Sequence, residues 1–369
     1  MPLAVDTYAN AGSLADAEGL LNLSWTLDER PCLAADVDAL MRRELEAELA
    51  AGLEYLNTYF VKDPYGDDLL RPAVGAFFPG GVGAARVTCG AGVNSVLHAL
   101  AGLTSGAAVH VVGETYPDFP YWVDRHGGRC VEHAGGLGLE EHAGAARDAG
   151  AAIVFLERPS LIGDRLADPA EVEVLCAGAE RHGALVVIDE SNANYYPPAF
   201  SAANLAGSLD NLVVVRGFSK AYGLGGLRLG YCVASPAATE RIRTAVPPLL
   251  GSSLALRIGR AVLELGDVGD PLRERIRDSK AELARLLAGA GLGETVVSSE
   301  LMPYVLLRNS PGYFRDRVEP LGVRGKLHTL WSGATLRASQ LYRMSAPLAE
   351  PRRELLRQKL AAPRASSSS

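Results

Sequence analysis

Short apolar runs alternate with longer amphipathic stretches along the middle of the chain. Four runs are mainly apolar and β-branched, namely Ala107–Val112, Ala151–Leu156, Ala184–Ile188 and Leu212–Val215. Such runs are typical of strands buried on both faces of a parallel sheet. Three intervening stretches have the pattern of helices, namely Asn94–Leu103, Leu139–Asp148 and Pro169–His182. The alternation predicts an α/β fold with a mostly parallel sheet flanked by helices.

The pattern changes after about Tyr231. A polar helical stretch runs from about Asp270 to Ala290, and short strand candidates follow at Tyr304–Leu307 and Leu341–Ser345. A chain of 369 residues also exceeds the size at which a single core stops growing. We therefore predict a large domain over residues 46–235 and a smaller α+β domain over residues 236–364. Residues 1–45 should pack with the small domain, and residues 365–369 should form a disordered tail.

Composition and charge narrow the class of protein. A net charge of −7 without a Lys/Arg block argues against a nucleic-acid partner. No apolar run reaches the roughly 18 residues of a membrane span, and the acidic N-terminus does not resemble a signal peptide. The five cysteines are scattered without metal-binding spacing, which favours reduced thiols, no metal site and a cytoplasmic location.

In open parallel sheets, ligands gather at the carboxyl ends of the strands. Four groups of residues directly follow the predicted strands and should therefore face one crevice, namely Gly113–Tyr116, Glu157–Ser160, Asp189–Asn192 and Arg216–Lys220.

Two ionisable residues in these groups stand out. Lys220 follows a strand and precedes a glycine-rich run, where an amine can act as a Schiff-base nucleophile, although most loop lysines are simply solvated. Asp189 ends the run "ALVVIDE", and a carboxylate there needs a cation or strong donors. A pyridinium N–H would suit Asp189, and capping of the following turn would suit it equally well.

The stretch "VTCGAGVNSVLHAL" predicts a strand, a glycine-rich turn and a helix start. Four residues would have free backbone N–H groups at that helix N-terminus, namely Gly90, Ala91, Gly92 and Val93. Together with the helix dipole, these groups make an anion cradle. Ser219 and Arg228 would add a hydroxyl and a guanidinium to the same phosphate.

An amine, a carboxylate, a phosphate cradle and a guanidinium suit a phosphorylated pyridine aldehyde. The stretch "SKAYGLGGLRLGY" resembles the lysine motif of the class I and II aminotransferases, which are fold-type I enzymes dependent on pyridoxal 5'-phosphate (PLP). The resemblance is greatest to histidinol-phosphate aminotransferase-like members and covers roughly Leu21 to Leu360.

The resemblance implies a role for each matching residue. Lys220 would form the Schiff base with PLP, and Ser219 and Arg228 would bind its phosphate. Asp189 would keep the pyridine nitrogen protonated. The turn from Gly90 to Gly92 would donate backbone N–H groups to the phosphate.

Three further residues follow from the same resemblance. Tyr116 in "ETYPDF" would stack on the pyridine ring, unless it is an ordinary core aromatic. Arg343 in "LYRMSAPL" would bind the α-carboxylate of the amino-acid substrate, unless it is a surface strand arginine. Tyr65, with Tyr59 as the alternative, would reach the phosphate of the neighbouring subunit, which requires a homodimer.

The chain departs from the family pattern at several positions. Ser160 in "LERPSLIGDRL" stands where the family has the asparagine that bonds the ring hydroxyl, and Asn192 in "DESN" replaces a common tyrosine. We hypothesise that Asn192 supplies the missing amide. Asp28 and Glu29 in "LDERP" would either meet a cationic substrate side chain or form a solvated acidic turn. Gly217 replaces a serine or threonine that contacts the phosphate.

These departures leave two enzymatic functions open. The first is a PLP-dependent aminotransferase acting on an amino acid by α-proton abstraction. The second is a PLP-dependent elimination, replacement or cyclisation enzyme acting on a basic guanidino amino acid in antibiotic biosynthesis. A non-catalytic regulator on this fold would need an additional DNA-binding domain, for which the sequence offers no room.

Overall fold

The computed structural model describes residues 19–57, 62–132, 138–163, 166–292, 295–296, 298–308, 313–332 and 335–361. Tyr59 and the predicted tail at residues 365–369 lie outside these ranges. The strands are β1 Leu21–Asn22, β2 Arg86–Gly90, β3 Ala108–Val112, β4 Arg129–Glu132, β5 Ala151–Glu157, β6 Leu185–Asp189, β7 Leu212–Gly217, β8 Gly230–Ala234, β9 Thr295–Val296, β10 Tyr304–Arg308, β11 Val323–Arg324, β12 Lys326–Ser332 and β13 Thr335–Ser345.

The helices occupy much of the remaining described chain. They are α1 Val37–Ala50, α2 Asp67–Phe77, α3 Val93–Gly102, α4 Asp118–Arg125, α5 Leu139–Asp148, α6 Pro169–Glu180, α7 Pro236–Arg243, α8 Ser253–Glu264, α9 Asp270–Gly289, α10 Tyr313–Val318 and α11 Glu350–Ala361. The seven elements expected between residues 94 and 215 lie within two residues of the observed bounds, because strong apolar runs and capping residues mark their ends. Asp168, for example, caps α6 by accepting a hydrogen bond from the Glu171 N–H.

A seven-stranded sheet forms the centre of the larger unit, in the order β2-β8-β7-β6-β5-β3-β4. Strand β8 runs antiparallel to both neighbours, and the pairs from β7 through β6, β5 and β3 to β4 are parallel. The observed sheet is thus mostly parallel, as the alternating pattern predicts. Its parallel strands direct their carboxyl ends to one edge, where ligands gather in such sheets.

Alternate residues of the central strands enter two apolar clusters on opposite faces of the sheet. In β6, Val186 and Ile188 pack in one cluster, whereas Leu185 and Val187 pack in the other. The first cluster also holds residues of α2, α5, α6 and α8, and the second holds residues of α3, α4 and α7. Helices therefore cover both faces, which explains why the strand sequences are apolar throughout.

A second unit contains a four-stranded antiparallel sheet in the order β12-β13-β10-β9. Helices α9 and α11 pack on it through an apolar cluster that also holds Leu21 and Leu23. Strand β1 pairs with β11 in parallel and so fixes the N-terminal segment to this unit.

The apolar clusters divide the chain differently from the bounds that the sequence predicts. Val37 and Leu40 of α1 pack in the cluster of the large sheet, and so do Leu256 and Val262 of α8. We therefore propose that the large unit begins near α1 and extends to about Val268, beyond the predicted boundary at residue 235.

In the described residues, we find no helix long and apolar enough to cross a membrane.

Candidate active site

The carboxyl ends of the parallel strands open into a cavity of about 810 Å³ between the two units. Each of the four strand-end groups mapped from the sequence contributes to its wall, through Tyr116, Glu157, Asp189 and Lys220 among others. The small unit adds Lys326 and Arg343, and the N-terminal segment adds Trp25, Glu29 and Arg30. This is a suitable size for a cofactor together with a small substrate.

Lys220 lines this cavity, three residues beyond the end of β7. Its side chain is half-buried, and its backbone carbonyl accepts hydrogen bonds from the Tyr222 N–H at 2.7 Å and from Asn194 Nδ2 at 3.2 Å. Asn194 Nδ2 also donates to the Gly217 carbonyl at 2.7 Å. The loop that carries the amine is therefore held at both ends by one amide side chain.

A buried ionic network stands behind Asn194. Arg216 Nη2 donates to Asn194 Oδ1 at 2.7 Å, and Arg216 Nη1 lies 2.6 Å from the Glu190 carboxylate. Arg158 completes the network at 2.9 Å from the same carboxylate. Because loss of one partner would leave a buried charge uncompensated, the network fixes the ends of β5, β6 and β7. Sequence reasoning missed it, although Glu190 directly follows Asp189.

Asp189 is buried at the end of β6 and lines the cavity. Its Oδ1 accepts a hydrogen bond from the Ser191 N–H at 2.8 Å, which is the turn-capping role that the sequence left as an alternative. Burial raises the pKa of Asp189 to about 6. A cationic N–H in the cavity would favour the ionised carboxylate.

Glu157 lies beside Asp189, since the two residues are paired in the register of β5 and β6. Its Oε1 accepts hydrogen bonds from Thr115 Oγ1 at 2.6 Å and from the Tyr116 N–H at 2.7 Å. Its Oε2 is buried and has no hydrogen-bond partner in the described residues. Burial, followed by the nearby charge of Asp189, raises the pKa of Glu157 to about 8. The sequence placed Glu157 at a strand end without singling it out.

The opposite side of the cavity has the character of an anion site. Arg228 has a left-handed backbone, with φ 53°, and its Nη2 donates to the Ala91 carbonyl at 2.9 Å. Gly92 has φ +87°, a backbone conformation that favours glycine, and a Cβ there would lie 2.6 Å from Arg228 Nη2, so a side chain would displace this guanidinium. Ser219 lines the cavity beside them.

The cradle itself differs from the sequence prediction. The Gly92 N–H donates to the Gly90 carbonyl at 2.8 Å, so the expectation that Gly92 offers its N–H to a phosphate is wrong. The residues of this turn that line the cavity are Val93 and Asn94, in the first turn of α3, where backbone N–H groups have no partner within the helix. The family's serine or threonine would not fit at Gly217, because a Cβ there would lie 2.6 Å from Val93 Cγ2.

The small unit contributes the guanidinium of Arg343 to the cavity wall. Arg343 of β13 lies with its guanidinium carbon 4.1 Å from the centroid of the Tyr304 ring. Its buried Nε has no hydrogen-bond partner in the described residues. Lys326, which sequence reasoning missed, lies over Trp25 with its amine 3.3 Å from a ring centroid. No local motif marks Lys326, because its position depends on pairing between β12 and β13.

The two acids predicted in the N-terminal segment have different surroundings, and only one of them lines the cavity. Glu29 is buried in the cavity wall, where its Oε1 accepts a hydrogen bond from the Tyr195 hydroxyl and burial raises its pKa. Asp28 instead accepts from the backbone N–H groups of Leu348 and Ala349, at 2.9 and 2.8 Å. The expectation that Asp28 faces the pocket is therefore wrong, because the start of α11 takes its carboxylate.

Of the three remaining predicted residues, one lines the cavity and two do not. Ser160 Oγ donates to the Ile162 carbonyl at 2.7 Å and does not line the cavity, whereas the apolar side chain of Leu161 does. Asn192 lines the cavity as expected. Tyr65 lies outside its own chain's cavity with its ring 4.3 Å from the Arg243 guanidinium, so its contact with a neighbouring subunit stays a prediction.

The groups that line this cavity fit a phosphorylated pyridine aldehyde. The amine suits its aldehyde, the buried carboxylate suits its pyridine nitrogen, and the helix N-terminus with the guanidinium of Arg228 suits its phosphate. Two buried polar atoms, Glu157 Oε2 and Arg343 Nε, have no partner among the residues that the structure describes and remain for further contacts. In the described residues, no group of three His, Cys, Asp or Glu side chains is arranged to hold a metal ion.

The chain matches a known protein family over most of its length. Residues 59–360 match the family described as aminotransferase class I and II. The chain is 35% identical over 137 residues to histidinol-phosphate aminotransferase of Chromobacterium violaceum, which is 37% of each chain. It is 31% identical over 203 residues to threonine-phosphate decarboxylase of a Sinorhizobium species, or 54% of this chain and 57% of that protein. These matches thus span about 57% or less of the relatives' length.

Solved structures share the fold of this chain. Histidinol-phosphate aminotransferase from Sinorhizobium meliloti, in complex with pyridoxal-5'-phosphate, superposes with a TM-score of 0.66 at 22% identity, covering 88% of this chain and 85% of that one. YbdL from Escherichia coli, described with a methionine aminotransferase function, gives a TM-score of 0.72 at 18% identity and covers 92% of both chains.

Proposed function

Since the chain belongs to the class I and II aminotransferase family, we propose that it is an aminotransferase acting on the α-carbon of an amino acid. Membership confirms the predictions of a PLP-dependent enzyme and of the fold-type I architecture. One observation carries the proposed activity: Lys220, Asp189, Arg228 and Arg343 line a single cavity, although they come from distant parts of the chain.

PLP would be held along the edge of the large sheet. Its phosphate would lie at the N-terminus of α3 beside Ser219 and Arg228, where N–H, hydroxyl and guanidinium donors meet. Asp189 would face the pyridine nitrogen, and Lys220 would hold the aldehyde carbon. Bound PLP supplies an electron sink for the bond that breaks at the substrate α-carbon.

The protein side chains then divide the remaining work. The Asp189 carboxylate would keep a proton on the pyridine nitrogen, because a buried ion pair favours the charged form of both groups. The Lys220 amine would take the proton from the substrate α-carbon and return a proton to the product, since Asn194 holds its loop beside the cavity. Tyr116, whose backbone N–H donates to Glu157, lines the cavity and would cover one side of the bound PLP.

Arg343 would select amino acids as substrates. Its guanidinium lies against the Tyr304 ring, which restricts its motion while leaving Nε without a partner in the described residues. A planar guanidinium can bind the substrate α-carboxylate through two parallel hydrogen bonds. The α-carbon would then lie between Arg343 and Lys220.

The carboxyl groups in the cavity support a second candidate function. Besides Asp189 and Glu157, the cavity contains the carboxyl groups of Glu29 and Asp118, and burial raises the pKa of Asp118 to about 6. A cationic guanidino side chain would satisfy such acids. The second candidate is therefore elimination, replacement or cyclisation of a basic amino acid, in antibiotic biosynthesis, without loss of the amino group.

One experiment separates the two functions. The PLP-loaded protein is mixed with single amino acids in excess, arginine included, without any keto acid, and substrate consumption is followed. An aminotransferase stops after about one substrate per active site, because the amino group is retained until a keto acid accepts it. Continued consumption without a keto acid would contradict transamination and favour the second candidate.

We also propose a homodimer in which Tyr65 reaches the neighbouring subunit. Tyr65 supports this by lying outside its own chain's cavity, against Arg243. Light scattering of the purified protein tests the dimer, and Tyr65→Phe should weaken PLP binding only if the hydroxyl crosses the interface.

The five cysteines are free thiols in the structure, which is consistent with the proposed cytoplasmic location.

A further inference from the structure

Glu157 is a buried acid that the reaction described above does not use. One oxygen, Oε1, accepts two hydrogen bonds, from Thr115 and from the Tyr116 backbone. The other, Oε2, is buried without a partner in the described residues, while the side chain lines the cavity. An unpaired buried oxygen is costly, so Oε2 needs a partner that the described residues do not provide.

The strand order shows which part of PLP would lie beside Glu157. The phosphate-binding groups follow β2 and β7, and Asp189 ends β6. With the pyridine nitrogen on Asp189 and the phosphate toward β7 and β2, the opposite edge of the ring faces β5, which ends in Glu157. In PLP that opposite edge carries the ring hydroxyl, next to the aldehyde carbon.

The hydrogen bonds assign the two oxygens of Glu157. Oε1 accepts from two donors, as the carbonyl oxygen of a neutral carboxylic acid does. Oε2 is then the hydroxyl oxygen, and a hydroxyl donor needs an acceptor. The neighbouring acids Asp189 and Asp118 both act against a charge on Glu157, as does its burial. The ring oxygen of PLP is an acceptor that can carry negative charge.

We propose that Glu157 is a PLP-binding residue whose protonated Oε2 donates a hydrogen bond to the ring hydroxyl oxygen. This contact replaces the one expected of Ser160, whose own hydroxyl is bonded to the Ile162 carbonyl. Glu157 therefore sets the proton distribution between the ring oxygen and the nitrogen that joins Lys220 to PLP. The inference rests on the placement of PLP required by the proposed function, but not on which reaction follows.

The test uses the colour of bound PLP rather than turnover. The wild-type protein is loaded with PLP, and two quantities are measured: the Kd for PLP and the pH at which the visible absorbance band changes. A hydrogen-bond donor to the ring oxygen stabilises its negative charge, so the neighbouring nitrogen holds its proton less tightly. Loss of the donor should therefore raise that pH. Glu157→Leu is expected to raise it by about one unit and to weaken PLP binding about 10-fold.

Three variants serve as controls. Glu157→Gln keeps an acceptor for Thr115 and Tyr116 and places an N–H donor at the position of Oε2, so it should stay within about 0.3 units of wild type. Thr115→Val removes one anchor of Oε1 but keeps the proposed contact, so it should also stay close to wild type. Asn192→Ala tests the competing hypothesis that Asn192 supplies the donor.

Several outcomes would overturn the assignment. A shift in Asn192→Ala with none in Glu157→Leu would give the contact to Asn192. An equal shift in Thr115→Val and Glu157→Leu would show that Glu157 acts by anchoring the Tyr116 loop. If wild type binds PLP but does not transaminate, the proposed function fails while the Glu157 shift is still measured. If wild type binds no PLP, both proposals fail.

Discussion

The loops that follow β7 and β5 lie on the same edge of one sheet, on either side of β6, yet they meet the cavity in different ways. After β7, the residues predicted from the motif, Ser219, Lys220 and Arg228, all line the cavity. After β5, the predicted Ser160 turns to the Ile162 carbonyl, and the cavity is instead lined by Glu157 and Leu161.

The difference shows what spacing within a motif can determine. In the β7 loop, close packing leaves little freedom: Gly92 accommodates Arg228, and Gly217 accommodates Val93. The spacing of residues there fixes their places in the cavity. In the β5 loop, Ser160 can satisfy its hydroxyl locally, so its sequence position does not determine its direction.

Loss of the Lys220 amine should have the largest effect. Lys220→Ala is expected to lower turnover at least about 10³-fold, because the same amine holds PLP and moves the α-proton. The change is checked by steady-state assay with an amino acid and a keto acid. Lys62→Ala, which removes an exposed lysine, serves as control. Turnover that survived Lys220→Ala would show that the β7 loop is not the reaction centre.

Neutralising Asp189 tests the strand between the two loops. Asp189→Ala is expected to lower turnover about 100-fold, since the pyridine nitrogen would lose the anion that keeps it protonated. PLP should still bind through the phosphate site, which absorbance titration would show. Unchanged turnover would mean that the Asp189 carboxylate serves the turn at Ser191 alone.

Substitution of Arg343 examines the wall that faces both loops. Arg343→Lys keeps the charge but loses the paired donors, so kcat/KM for amino acids should fall about 10-fold or more, mainly through KM. The PLP spectrum should not change. A spectrum that changed with unaltered KM would place Arg343 at the cofactor rather than at the substrate.

The buried acid of the β5 strand predicts a pH dependence of stability. The folded pKa of Glu157, about 8, is above its ordinary value of 4.5, so its contribution to stability is complete below about pH 4.5 and is lost as the pH rises through 8. Cofactor-free protein should therefore lose about 2–4 kcal/mol of unfolding free energy between pH 5 and 8.5. Denaturant titrations check this, and Glu157→Gln should reduce the loss. An equal loss in Glu157→Gln would assign it to other groups.

A matched pair of serine variants gives the smallest expected effects. Ser219→Ala should weaken PLP binding about 3- to 10-fold, the cost of one hydrogen bond to a charged group. Ser160→Ala should leave PLP affinity within about 2-fold, because its hydroxyl is bonded to a backbone carbonyl. Binding is measured by fluorescence titration, and the opposite ranking would reverse the comparison between the loops.

Much of the large unit could be predicted because its signals are local. The apolar runs of β3, β5, β6 and β7 and the motif around Lys220 need no knowledge of distant contacts. Lys326 and the Arg158–Glu190–Arg216 network could not be found in this way, because strand register and side-chain pairing across the sheet create them. Asp28 was misplaced for the same reason, since its partners are more than 300 residues away in the chain.

We expect Lys220 to hold PLP in the cavity at the carboxyl edge of the sheet. Reduction of the PLP-loaded protein with borohydride, followed by digestion and mass spectrometry, fixes the cofactor to the lysine that holds it. Lys220 and Lys326 both line the described cavity, so the measurement discriminates between two lysines within it. The expected result is added mass on the peptide containing Lys220. Added mass on the Lys326 peptide, or on neither, would contradict it.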